Sequence, residues 1–169
     1  MNPLEYYEAN VKKYFNKGIL IDAGVLLLLA VGMYDEKQIG QLSGTESHDI
    51  DDYNLLKIII RDFKKIVTTP NILTEVCNLI SKFPNRTKAS VLTLGLASYI
   101  EKAEENYIES LTLSYTDCFK NYGLADASIF YSAKGKYFVL TEDGPLWGFL
   151  RKNKISVVNF NHVIYPVQE

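Results

Sequence analysis

The chain is short of the residues that build zinc sites and disulfide frameworks. It has two cysteines, Cys77 and Cys118, and two histidines, His48 and His162. The cysteines stand far apart and form no C-x-x-C pair, which argues against a zinc cluster and a disulfide scaffold alike. Two such thiols read as buried residues of a reducing, cytoplasmic compartment. The histidines have no partner pattern and receive no role. A surplus of either charge is also lacking: 18 basic side chains against 20 acidic ones leave a net charge of −2. The chain as a whole does not attract a polyanion, so any nucleic-acid contact needs a local basic patch. Nor is there a membrane-length apolar run. The stretch from Gly18 to Gly32 is interrupted by Asp22 and falls short of the roughly 20 residues a span requires. Its upstream flank carries Glu5 and Glu8 and is long for the charged region of a signal peptide. Repeats, linkers and low-complexity tracts are missing too, and 169 residues suit one domain over 1–169.

What is present is an ordinary globular balance, 47% apolar and 22% charged, arranged in an alternating pattern. Asn2-Pro3 reads as an N-cap and first-turn proline opening a helix over about 3–16, stopped by Gly18. Ile19 to Ile21 is a short apolar strand, followed by a Leu-rich helix. Residues 35–48 are polar, with two glycines, and read as a surface loop. Asp49 caps a helix with Tyr53, Leu56, Ile60 and Phe63 on one face, so that a loop-helix unit occupies about 35–65. Strand 66–68 and helices 71–83 and 86–105 follow, then a strand at 108–113, a short helix at 117–122 and another at 125–134. Strand 136–141, helix 145–152 and strand 155–160 complete the chain. Apolar β-branched runs separated by helices predict an α/β fold: a three-layer α/β/α sandwich around a central, mostly parallel sheet of about five strands. The scattered tyrosines and phenylalanines suggest packing rather than a stacking platform.

Four acids fall at special places in that scheme. Asp22 ends the first strand, Asp143 follows the strand ending at Thr141, Glu75 lies in the first turns of the helix after the second strand, and Asp126 opens the helix that leads into strand 136–141. Strand C-termini and helix N-termini share one edge of a parallel sheet with right-handed crossovers, and ligands bind at that edge. A strand order of 3-2-1-4-5 would put Asp22 and Asp143 at the switch point, although spacing alone does not set that order. Carboxylates gathered there repel one another. A hard divalent cation resolves the conflict, and all-oxygen ligands suit Mg²⁺ or Mn²⁺.

The segments ILIDAGVLLLL, TPNILTEVCNLI, YGLADASIFYSAKGKYFVLTEDGPL and ISVVNF, in that order and spacing, resemble the PIN domain family of metal-dependent ribonucleases. That family includes the toxin halves of many toxin–antitoxin pairs. The resemblance implies an acidic quartet at Asp22, Glu75, Asp126 and Asp143 with Thr141 beside it, holding one or two Mg²⁺ or Mn²⁺ ions. It implies an endoribonuclease that hydrolyses RNA phosphodiester bonds, with RNA as substrate, a protein antitoxin as partner and a homodimer as the assembly. Two departures stand out. Gly24 occupies the place where many members carry Asn, Ser or Thr, so a polar contact near the metal is expected to be missing. The N-terminal helix and the stretch from Asp35 to Asp62 are longer than in compact members.

Each acid also admits a structural role. Asp126 could cap its helix, Asp143 could serve the turn before Gly144-Pro145, and Glu75 could be a solvated helix residue. Asp22 is different, because an aspartate among apolar residues needs a partner and no basic residue is near in sequence. The basic groups Arg61/Lys64/Lys65, Arg86/Lys88, Lys134/Lys136 and Arg151/Lys152/Lys154 read as solvated faces more readily than as RNA contacts. The alternative to the nuclease is a PIN-like binding or assembly module with weak or lost catalysis. A phosphotransfer or receiver domain fits less well, because Ile21-Asp22-Ala23-Gly24 supplies neither a D-x-D pair nor a lysine.

Overall fold

A computed structural model describes residues 3–164. Helix α1 (Pro3–Tyr14) leads into β1 (Ile19–Ile21), and α2 (Ala23–Tyr34) is followed by a 3-10 turn (Glu36–Gln38) and α3 (Ile50–Arg61). Next come β2 (Ile66–Thr68), α4 (Pro70–Ser81), α5 (Arg86–Ile100) and β3 (Ala103–Glu105). The chain continues through α6 (Ser110–Ser114), α7 (Asp117–Ala133), β4 (Phe138–Thr141), α8 (Gly144–Lys152), β5 (Val157–Asn159) and α9 (Phe160–Ile164). The five strands run β3-β2-β1-β4-β5, and every pairing is parallel. Successive crossovers step one way from β1 to β3 and the other way from β4 to β5. Right-handed connections therefore lay helices on both faces and leave the switch point between β1 and β4.

The local causes are legible. Asp49 caps α3 in a reciprocal capping box with Asp52, Thr69 and Pro70 open α4, and Asn85 caps α5. Helix α2 is apolar around its whole circumference, with Val25 to Gly32 all buried, as a helix enclosed by sheet and neighbouring helices must be. Below the sheet, Phe138 stacks on Tyr14 at 6.0 Å and on Phe63 at 5.8 Å, so these aromatics serve packing. No helix among the described residues is long and apolar enough to cross a membrane.

Several sequence expectations need correction. The third strand is Ala103–Glu105, inside what reads as the end of helix 86–105, and 108–113 contains α6 instead of a strand. β3 is an edge strand with both glutamates exposed, so it lacks the apolar signature of the buried strands, whereas in Ile108–Leu113 only Leu113 is fully buried. Phe160 starts α9 and does not prolong β5. Cys77 is exposed, because the buried stripe of α4 runs through Ile72, Val76 and Ile80 and position 77 turns away from it. The loop 35–48 is less superficial than its polarity suggests, since Ile39, Thr45 and His48 are buried. The N-cap role of Asn2 lies outside the described residues.

Candidate functional site

At the end of β1 the N–H of Asp22 donates to the carbonyl of Leu140 in β4, at 2.9 Å, which holds Asp22 at the switch point. Asp22 caps α2: Oδ1 accepts from the N–H of Ala23 and Oδ2 from the hydroxyl of Thr141, both at 2.6 Å. The buried Thr141 Oγ1 accepts in turn from the N–H of Asp143 at 3.0 Å. One hydroxyl thus ties the two aspartates together. Asp143 caps α8 through a 2.6 Å bond from the N–H of Leu146. The cap role and the site role are compatible here, since a carboxylate keeps lone pairs beyond the one a cap uses and helix N-termini favour negative charge.

Glu75 and Asp126 arrive from α4 and α7. The hydroxyl of Thr69, which caps α4, lies 2.8 Å from that of Ser128 in α7, a buried bond that sets the two helices against each other. α7 bends at Gly123 (φ 88°, ψ −175°), so Asp126 falls in the first turn of the stretch that follows, without acting as a cap. Asp22 is 7% exposed, Asp126 is half-buried, and Glu75 and Asp143 are exposed.

Burial pushes the Asp22 carboxyl up to about 6 against the hydrogen bonds from Thr141 and Ala23, and the charges of Glu75 and Asp143 push it the same way. Burial likewise pushes Asp126 up to about 7, with repulsion from Asp22, Asp143 and Glu75 adding to it. Asp22 and Asp126 thus both feel the charges of Glu75 and Asp143 across a shared space. That space is a cleft of about 800 Å³ lined by Asp22, Glu75, Asp126, Glu142 and Asp143, and the described residues lining it include no lysine or arginine. Among the described residues no three of His, Cys, Asp and Glu form a ready-made metal cage; the acids stand around the cleft, as unneutralised like charges do. Their chemistry fits a hard divalent cation: all-oxygen donors, two of them raised by burial and mutual repulsion.

Glu142, His48 and Asp52 carry no motif in the sequence, yet the structure links them at the cleft. Glu142 lies between Thr141 and Asp143 and lines the cleft. His48, which lacks any partner pattern in sequence, bridges Glu142 at 2.7 Å and Asp52 at 3.3 Å. Hydrogen bonding to Glu142 is the main cause that raises its pKa, against burial. No sequence signal marks that pairing, because it joins a loop to a strand end 94 residues away. Position 24 is not open either: a Cβ there would collide with Glu142 Oε1, so a carboxylate stands where a missing contact was expected. His162 packs edge-on against Trp147 at 4.9 Å.

Several of the basic residues are engaged elsewhere. Lys65 pairs with Glu104, Lys88 donates to Gln38, and Arg151 lies over the rings of Tyr6 and Trp147. Lys152 lines a second hollow of about 530 Å³ that shares Tyr122 with the cleft. No family model matches this chain, and no curated protein matches it.

Proposed function

We propose that the protein is a divalent-metal-dependent endoribonuclease of PIN type. The observation that carries this reading is a cleft at the switch point lined by five acids and, among the described residues, no lysine or arginine, with two of the carboxyls pushed up toward neutrality. A phosphodiester could not approach such a cleft unless a cation neutralised it. Asp22, Glu75, Asp126 and Asp143 would hold the metal. A bound Mg²⁺ or Mn²⁺ supplies charge neutralisation for the scissile phosphate and makes a water acidic enough to attack near neutral pH.

The chain's own contribution is orientation and proton control. Thr141 fixes the rotamer of Asp22 and the backbone of Asp143 with one hydroxyl. Asn71 and Asn78 line the cleft and can donate to phosphate or ribose oxygens. The neighbouring hollow with Lys152 offers a positive charge along the path of a bound strand. An antitoxin partner and a homodimer belong to this reading as implications of the resemblance.

A module without catalysis is favoured by one observation: both oxygens of Asp22 are already engaged within the protein. The readings part on metal and cleavage. Single-stranded RNA should be cut in Mn²⁺ and left intact with EDTA, and Asp126→Asn should lower the rate at least ~100-fold with an unchanged circular dichroism spectrum. Full cleavage by Asp126→Asn overturns the site, and absence of Mn²⁺ binding at millimolar concentration favours the module.

A further inference from the structure

Position 24 has no side chain, but the space beside it is filled. A Cβ on Gly24 would overlap Glu142 Oε1, with Cδ 3.1 Å and Cγ 3.3 Å from it. A glutamate side chain is flexible and would ordinarily swing away, yet this one is clamped. Its Oε2 accepts from Nε2 of His48 at 2.7 Å, and Nδ1 of His48 lies 3.3 Å from Oδ2 of Asp52. His48 and Asp52 are each 5% exposed. Asp52 Oδ2 also accepts from the N–H of Asp49, so the capping box of α3 fixes Asp52, Asp52 fixes the imidazole, and the imidazole fixes Glu142. Phe160 packs against the ring at 5.8 Å, and Asn159 Nδ2 reaches the Glu142 carbonyl at 3.4 Å. Swinging Glu142 out would leave a buried imidazole N–H without an acceptor, which is unfavourable.

We propose that the His48–Asp52 pair of the inserted segment positions Glu142 as the polar group that position 24 lacks, so that Glu142 is a fifth carboxylate of the metal site and His48 is the positioning residue behind it. This rests on the metal-site reading above. It makes the segment between α2 and β2 part of the site, and it explains why glycine is required at 24: any larger residue would displace the carboxylate.

Calorimetric titration with Mn²⁺ tests the proposal, with melting temperatures taken on the same samples. Glu142→Ala and His48→Gln should each weaken Mn²⁺ binding by ~10-fold, the lower range for losing a supporting group around a metal. The double variant should bind no more weakly than Glu142→Ala alone, because His48 acts through Glu142. Adding Gly24→Ser to Glu142→Ala, which returns an oxygen to the vacated place, should recover most of the affinity. Glu142 is partly exposed, so its alanine variant folds even where a His48 variant does not. Wild-type affinity in Glu142→Ala overturns the proposal and leaves the metal site standing. A His48→Gln effect that adds in full to that of Glu142→Ala overturns the positioning role. A wild-type protein that takes up no Mn²⁺ overturns both readings.

Discussion

Two acidic regions of the same sheet behave in opposite ways. On the β3 edge, Glu104 is exposed and accepts from Lys65 at 2.8 Å, and that bond is the main cause holding its carboxyl below the usual value. At the switch point, Asp22 is buried with a threonine and a backbone N–H for partners, and its carboxyl is pushed up to about 6. The residue chemistry is nearly the same. What differs is solvent and a counter-charge: the edge acid has both, and the central acid has neither. An ion pair in water is a settled arrangement of small energy, whereas a buried acid without a cation is unsettled and holds either a proton or a metal.

The largest expected contrast is in pH dependence. Asp22 and Asp126 hold protons more tightly folded than unfolded, so their contribution to metal-free stability is full below about pH 4 and lost as pH rises through 6 to 7. Glu104 has the opposite sign, contributing above its unfolded value of 4.5 and losing its contribution as pH falls. For Asp22 alone the shift corresponds to about 3 kcal/mol. The melting temperature of EDTA-treated protein should therefore fall by on the order of 10 °C between pH 4.5 and 7.5 relative to an Asp22→Asn/Asp126→Asn double variant. Saturating Mn²⁺ should remove most of that fall. A parallel course for wild type and double variant would break the contrast.

A smaller effect is expected from Thr141→Val, which keeps the shape of the side chain but removes the hydroxyl that both donates to Asp22 and accepts from Asp143. Urea denaturation at pH 7.5 should show a loss of about 1–2 kcal/mol, and an unchanged midpoint would mean that the hydroxyl does not hold the two aspartates. The smallest effect belongs to the edge. Lys65→Ala should move the melting temperature by less than about 1 °C, as exposed ion pairs generally do, and a larger shift would show that the edge pair is less solvated than its exposure implies.

Much of this architecture was legible in the sequence because burial leaves a pattern. The wholly apolar strand β1, the apolar run of β4 up to Thr141 and the cap at Asp49 follow from local rules, and the edge shared by Asp22, Glu75, Asp126 and Asp143 follows from the handedness of crossovers. The strand order could only be assumed, since pairing is set by tertiary packing. β3 escaped because an exposed edge strand of sequence Ala-Glu-Glu has nothing apolar to announce it. Glu142 and His48 escaped for another reason. Their partnership spans 94 residues, and nothing in either neighbourhood records it; only the glycine at 24, which reads as a deficiency, carried a trace of the carboxylate that fills its place.

The bend at Gly123 has a stereochemical consequence. A Cβ there would meet nothing within 4 Å, so space does not demand glycine; φ 88° with ψ −175° does, because L-residues are all but excluded from that region. The mirror image of those angles is ordinary extended backbone. A D-alanine introduced by chemical ligation would therefore fit where L-alanine is strained by ~1–3 kcal/mol. The turn that presents Asp126 to the cleft is thus selected by handedness and not by size.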